Sequence, residues 1–573
     1  MRLDLSGSGW SGDVADDALE ETAAEVRRAF VELTDRLSVG RDADLDWWVT
    51  PLASRNTYVC PLHLRLCRLA LARRLLAAGG VSEILVDSPA MACAVSGLAG
   101  PGVNVAMVGA SRWSRAVGAL RRYAGALYHA GCQYLFSRLP LRPAPLPAGP
   151  VVLVDTFLYS DSIVNGALRD RHYPGLLNQL DAGERMQVFF VASYYRVRNY
   201  ARFFRELRQV RAGLILKEDV LGLGDYLYAL AHPFRLRWPQ GPIDFLGVDV
   251  GPLVREALAE SFAGSGAIEG LLRYRAARRL RERGLTPRRI VEWLENQEID
   301  HGANAGWRRF FPDVPVIGYQ GFLASRHYLC MFPTTREAQL NLLPHRVAVM
   351  GAGLAELARE FCPQLEVETA PAFRFESIWR ARSVEPDADW FTVLVALPIL
   401  PNDSGAVLSL AVAVAPRGAR PWRFFVKPHP TWRAADLKRL AAELPAGFQL
   451  AEGDFETLLD EADALVGTAS STCVHAIVRG VPVAVAAQPG SLVQNPIPAF
   501  ADASLWAVCY TAADLARTLG RYAEGGRTET ERRRELGRQL RERWFEPVTA
   551  ESVRRFLGFA TVAPDARPET STR

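Results

Sequence analysis

Lysine is nearly missing from this chain: it occurs only at Lys217, Lys427 and Lys438, and arginine supplies every other basic side chain. An arginine therefore cannot be singled out by type, whereas a lysine in an unusual place stands out. An excess of either charge is also missing, since 67 basic residues face 63 acidic ones, a balance of +4 over 573 residues. That excludes the electrostatic footprint of a nucleic-acid binder. The arginine-dense stretches at 273–283 and 532–543 are interleaved with Glu and Leu, as solvated helix faces are. The eight cysteines contain no C-x-x-C pair and sit singly, several within apolar runs, so they read as reduced core thiols of a cytoplasmic protein. Nine scattered histidines show no metal-ligand spacing and a convincing D-x-D pair is lacking, so no metal and no cofactor is expected. The first residues have no apolar core of signal-peptide type, and no run reaches the roughly 18 apolar residues of a membrane span; Ala406–Pro416 is too short. With 49% hydrophobic and 23% charged residues, disordered, collagenous and coiled-coil chains are excluded as well.

What the chain does have is alternation. Short β-rich runs, such as Glu83–Asp87, Val103–Val108, Val151–Asp155, Val188–Val191, Ile290–Leu294 and Val314–Gly318, alternate with helical patterns. A second series runs from Arg346 through Leu365–Glu368, Thr392–Pro398, Phe424–Lys427, Ala464–Val466 and Val481–Val485 to Trp506–Val508. Such alternation implies parallel sheets covered by helices on both faces. The expectation is an α/β protein of two doubly wound, Rossmann-like domains facing a central cleft. An acceptor-side domain spans 1–335, a nucleotide-sugar domain 346–530, a helical segment 531–560 and a disordered tail 561–573.

Ligands of open α/β sheets bind outside the carboxyl ends of the strands, and two segments of the second half carry polar, turn-forming residues there. In Phe424-Phe-Val-Lys-Pro-His-Pro-Thr-Trp432 a strand runs into two prolines that fix the backbone around His429. Pro430 suits a first helical turn, and Lys427 and His429 could add charge or donors to a phosphate at the helix start. In Ala464 to Val485 a strand ends in small residues, and Ser470, Ser471 and Thr472 open a short helix with hydroxyls and amides suited to phosphate or ribose oxygens. Each also has a plainer explanation, a rigid turn in the first case and ordinary helix capping in the second.

Together the two segments resemble the nucleotide-binding half of GT-B glycosyltransferases, particularly bacterial sialyl-, Kdo- and CDP-glycerol-type transferases. Those carry a His-Pro motif after one strand and a Ser-Ser or Ser-Thr motif after a later one. The resemblance covers roughly residues 385–490. It implies that Lys427, His429, Pro430, Ser470, Ser471 and Thr472 hold the phosphate region of a cytidine nucleotide. The chain departs from many of these relatives in having His475 where they place a ribose-binding Glu. A second resemblance, to bacterial surface-carbohydrate proteins that make O-antigen or capsule, rests on Trp293-Leu-Glu-Asn-Gln-Glu-Ile-Asp-His-Gly302, Phe311 to Phe322 and Phe332-Pro-Thr-Thr-Arg-Glu337.

Glu295, Asn296 and Gln297 follow the strand 290–294, where a carboxylate can project into an interdomain cleft or simply cap the next helix. Tyr319 and Gln320 end the following strand, and Asp155 ends the strand 151–154; these three, with Asn296 and Gln297, are cleft candidates. Lys217-Glu-Asp219 favours an ion pair over a site, and Gly351-Ala-Gly lacks a full dinucleotide fingerprint. The reading is a cytoplasmic glycosyltransferase that takes a nucleotide-sugar and a glycan or lipid-linked glycan acceptor, with Glu295 as base and His429 serving the leaving group. A peripheral contact with the inner membrane is allowed by Arg541 to Glu546. A non-catalytic nucleotide-sugar scaffold and a sugar-nucleotide epimerase are the alternatives that two such domains leave open.

Overall fold

The computed structural model describes residues 1–6, 14–109, 112–138, 145–210, 213–262, 264–380, 387–398, 401–414, 420–429, 432, 434–468, 470–488 and 490–559. Pro430 and the tail expected from residue 561 lie outside them.

Three parallel sheets organise the chain. Strands β1 (Arg2–Asp4), β2 (Glu83–Val86) and β3 (Asn104–Met107) make a small sheet in an N-terminal lobe. Seven strands follow: β4 (Pro150–Leu158), β5 (Val188–Tyr194), β6 (Leu214–Ile215), β7 (Thr286–Trp293), β8 (Val316–Gln320), β9 (Arg346–Val349) and β10 (Val367–Thr369). They lie in the order β10-β9-β8-β7-β4-β5-β6, parallel throughout. The second large sheet holds β11 (Phe391–Ala396), β12 (Trp422–Lys427), β13 (Phe448–Leu450), β14 (Ala464–Gly467), β15 (Val483–Ala486) and β16 (Trp506–Cys509), ordered β13-β12-β11-β14-β15-β16 and again parallel. Both are doubly wound: the chain starts in the middle, runs to one edge, returns and fills the other side. The central strands are buried along their length, as Phe-Thr-Val-Leu-Val-Ala in β11 is, because helices cover both faces.

The structure corrects the expected domain division. The sequence reading puts Arg346–Val349 and Val367–Thr369 in the second domain, but they extend the first sheet beyond β8. A short apolar run looks the same in sequence whichever sheet it joins, so the border moves to the segment between Thr369 and Phe391. The helical end is not a separate appendage either. Helix Gly526–Trp544 packs on the second domain, the chain then pairs at Glu546 with Pro371, and helix Ala550–Phe556 returns to the first sheet, where Phe556 meets Tyr319 and Phe373 at ring distances of 5.3 and 5.9 Å. One apolar core consequently runs from the first sheet through residues 370–378 into the second. Among the described residues no helix is long and apolar enough to cross a membrane.

Helices α1 (Ser265–Glu282) and α2 (Glu298–Phe310) cover the first sheet behind its central strands. They touch backbone to backbone: a side-chain carbon on Gly302 would stand 2.1 Å from the carbonyl oxygen of Gly270. Gly302→Ala is therefore expected to push α2 outward and lower stability by about 1 to 3 kcal/mol, the usual cost of overpacking. Gly405→Ala, at an exposed helical position with open space around it, is expected to raise stability by up to about 1 kcal/mol. Thermal melting of the two variants should shift in opposite directions; equal shifts would contradict the close contact.

Candidate functional site

In each large sheet the strand order reverses once, between β4 and β7 in the first and between β11 and β14 in the second. At such a reversal the connections leave toward opposite faces and a crevice opens at the carboxyl ends. Glu295 lies just past β7 and Tyr159 just past β4. In the second sheet, helix α3 (Pro401–Val412) follows β11, helix α4 (Ser471–Val478) follows β14, and His429 follows β12.

The two edges face one another. The second-domain loop around Val493 docks on the first half, its N–H donating to Glu20 at 3.1 Å, its carbonyl accepting from Ser325 Oγ at 3.4 Å, while Tyr58 OH donates to Gln494 at 3.3 Å. Tyr58 remains exposed to solvent and stacks on Tyr328 at 4.3 Å. Its phenol is pushed up by surrounding protein and by charge from groups that include Glu295 of the first domain and Asp403 of α3. A residue open to water yet crowded by protein from both domains marks the wall of a cleft.

Glu295 is held in a fixed pose. Its Oε1 accepts from Trp293 Nε1 at 2.9 Å, and its Oε2 accepts from Gln297 Nε2 at 2.6 Å and Tyr328 OH at 3.0 Å. A carboxylate offers about four lone-pair sites, so three donors leave about one for a ligand. The turn beneath is set by Asn296, whose φ of 55° is left-handed and whose side chain is buried, donating to Glu337 at 3.2 Å. Asp300, in the first turn of α2, accepts the backbone N–H groups of Glu295 at 3.1 Å and Gln297 at 2.9 Å. Burial pushes the Asp300 carboxyl up to about 7, with the nearby Glu295 charge adding to it.

Opposite stands His429. Burial first, then the charges of Arg171, Arg196 and Arg374, push its imidazole down to about 4. It is neutral at pH 7, so it serves as a hydrogen-bonding group there and adds no charge. Those three arginines come from the first domain and the segment leading out of it, and none is marked by its sequence context. The same holds for Tyr58, Tyr328 and Asp403. An arginine in this composition carries no signal of its own, and only the strand-end position of Tyr159 offered a clue.

In the same domain, two strands along the sheet from His429, Ser470 caps α4 by accepting the N–H of Thr472 at 3.3 Å, and Ser471 and Thr472 are half-buried in its first turn. Lys427 turns away from the strand-order reversal and donates to the carbonyl of Gly453. His475 is buried, with Nδ1 2.8 Å from Glu456 and its ring stacked 4.5 Å from Phe375, so it packs against the interdomain segment.

Four cleft candidates are corrected. Asn296 is fully buried, because its left-handed turn carries the side chain inward to Glu337 and away from the cleft. Asp155 is buried in an ion pair with Arg273, because β4 runs on to Leu158 and the residue sits within the strand. Tyr319 is enclosed among aromatic rings and donates to the carbonyl of Pro371 at 2.7 Å. Gln320 is buried and donates to the carbonyl of Met331 at 2.8 Å. Lys217, as expected, forms ion pairs, at 2.8 Å with Glu218 and 3.0 Å with Glu269. Among the described residues no three His, Cys, Asp or Glu side chains converge as a metal ion requires.

No family model and no curated protein matches the chain. Among solved structures it is similar to the glycotransferase of kitacinnamycin, with 14% identity over 71% of this chain and 98% of that one and a TM-score of 0.40. It is also similar to Anabaena Alr3699/HepE in complex with UDP-glucose (11% identity, 72% and 98% covered, TM-score 0.39). A third is the lipopolysaccharide outer core galactosyltransferase WaaB in its apo form (12% identity, 72% and 99% covered, TM-score 0.39).

The imidazole gives a direct check on the facing geometry. With a folded-state value near 4, below the ordinary 6.5, the unfolded chain takes up the proton first as pH falls. His429 thus withdraws stability between about pH 6.5 and 4 and has no effect above. Histidine NMR titration should place His429 near 4, and Arg374→Ala should raise that midpoint. A midpoint near 6.5 in the unaltered protein would contradict the facing arrangement.

Proposed function

We propose that this chain is a glycosyltransferase of the GT-B type, moving a sugar from a nucleotide-activated donor, with cytidine as the base, to a surface-polysaccharide or lipid-linked glycan acceptor at the cytoplasmic face of the membrane. The observation that carries the reading is the convergence of two strand-order reversals on one cleft. Glu295 stands on one side of it, and His429 with the Ser470–Thr472 turn on the other. The His-Pro and Ser-Ser resemblance supplies the donor class.

In this scheme the acceptor hydroxyl gives its proton to the open lone pair of Glu295 as its oxygen bonds to the anomeric carbon of the donor sugar. The bond from that carbon to the donor phosphate breaks, and the electron pair leaves with the nucleotide. The amides and hydroxyls opening α4, with neutral His429 as a donor, stabilise the charge that develops there. Dipoles fixed in place do this without reorganising, so the scheme draws on no metal and no cofactor. The pose of Glu295 suits a base, because its three donors orient the remaining lone pair.

Four measurements test this reading. CMP or CDP should raise the melting temperature more than equal concentrations of UDP or GDP, since a ligand bound only to the native state stabilises it by mass action, by about 2.7 kcal/mol at a hundredfold excess over Kd. Selective stabilisation by UDP would remove cytidine and keep the transferase. Ser471→Ala should weaken the nucleotide by about 1 to 3 kcal/mol. Glu295→Gln should lower turnover by about 10² to 10⁴ with nucleotide affinity little changed. Near-normal turnover would make Glu295 a structural cap. Product analysis separates the alternatives: a transferase frees nucleotide and extends an acceptor, an epimerase needs no acceptor, and a scaffold does neither.

A further inference from the structure

The carboxyl edge of the first sheet carries a row of aromatic rings. Tyr195 follows β5, Tyr159 follows β4 and Trp293 ends β7, and these three strands are neighbours in that order. Tyr159 and Tyr195 meet edge to face at 5.6 Å, and His172 bridges the row, stacked 6.3 Å from Tyr159 and edge-on 4.5 Å from Trp293. His172 stays neutral, its imidazole pushed down to about 3 by burial and by Arg374 and Arg171.

Each end and the middle of this row carries a guanidinium. Arg196 lies 5.3 Å from the ring centre of Tyr195, Arg171 5.0 Å from Tyr159 and Arg374 5.8 Å from Trp293. Asp161 balances Arg171. Among the described residues no carboxylate lies within ion-pair distance of Arg196 or Arg374, although Glu295 is near enough to act on Arg374. Arg196 and Tyr195 are exposed, and Arg196 holds a left-handed φ of 53°, a backbone state a long side chain adopts only when its surroundings impose it.

An aromatic face packs against the C–H face of a pyranose ring, and a guanidinium forks onto a carboxylate or phosphate. Trp293 and His172 are buried and only back the row, whereas Tyr159 and Tyr195 reach the surface with the three arginines. We propose that Tyr159 and Tyr195 with Arg171, Arg196 and Arg374 form the acceptor subsite, and that it selects a glycan bearing an anion, either a uronate carboxylate or a phosphate ester. The inference rests on the transferase reading, in which the second domain holds the donor. The cations are on the opposite edge from the hydroxyl turn of α4, so they meet the other substrate.

Calorimetric titration of the full chain tests it with cellobiouronic acid, glucose 1-phosphate and neutral cellobiose, and separately with CMP and CDP. At least one charged sugar should bind tenfold or more tightly than cellobiose, and which one it is separates a carboxylate from a phosphate ester. Of two surface changes, Arg196→Ala should erase that preference and Tyr195→Ala should weaken charged and neutral sugars alike, while nucleotide affinity stays within twofold in both. Equal binding of charged and neutral sugars, or no binding of any, overturns the proposal. So does an Arg196→Ala variant that loses nucleotide affinity instead, which would place the donor on these rings. If the unaltered protein binds no nucleotide yet keeps the charged-sugar preference, the transferase reading fails and the anionic subsite stands.

Discussion

The carboxylate of Glu337 has no access to water, and the first domain's half of the cleft is arranged around it. Arg55 reaches both its oxygens, at 2.9 and 2.8 Å, His301 lies at 2.8 Å, Thr334 donates its N–H at 2.7 Å and its hydroxyl at 3.0 Å, and Asn296 donates at 3.2 Å. Burial alone would raise this carboxyl, yet Arg55 and His301 hold it down at about 2. Removing one partner of such a buried pair costs about 3 to 5 kcal/mol, because the other charge is left unmatched. That energy secures two strained turns at once, since Arg55 and Asn296 both have left-handed φ values, 57° and 55°. Asn296 adjoins Glu295, so the orientation of the cleft carboxylate is inherited from a charge it never touches.

The same turn is held from below. Asp300 takes the N–H groups of Glu295 and Gln297, and α2 can bring it there only because α1 and α2 approach at glycine. Beneath lie Glu292, whose carboxyl burial drives well up, and the Arg273–Asp155 ion pair. Several acids thus share one guanidinium in a place without water, a costly arrangement that a purely structural turn would not need. Strain and buried charge concentrated under one half-buried cleft carboxylate fit a residue that must be aimed.

How much of this was legible follows from where each signal resides. Fully buried parallel strands read as unbroken runs of branched apolar residues, so β4, β5, β7, β11, β14 and β15 were visible. The membership of β9 and β10 was not, because pairing is a tertiary fact. Glu295 was legible as an acid at a strand end, and His429 through the prolines around it. Asp155 misled because its strand continues to Leu158, and one residue's shift along a strand exchanges faces. Tyr319 misled because the returning C-terminal helix and residues 371–373 cover it, and Gln320 because it turns to the carbonyl of Met331. The arginines were invisible, since what distinguishes Arg171, Arg196 and Arg374 is only the company they keep.

That last point changes how the cleft is charged. The sequence located its basic groups in the second domain, at Lys427 and His429, yet Lys427 is turned to the carbonyl of Gly453 and His429 is neutral. The permanent positive charge belongs to the first domain, and guanidinium does not titrate in the physiological range. Two unit charges about 8 Å apart interact by about 2 kcal/mol at an effective dielectric of about 20, and far less once water fills the gap. The field felt by His429 therefore depends on how closely the domains approach. An anion placed on the arginines would lower that field and make the imidazole easier to protonate, so filling one side of the cleft alters the hydrogen-bonding capacity of the other. The two halves are joined by electrostatics as well as by their shared core, and each domain alone would hold half of a site.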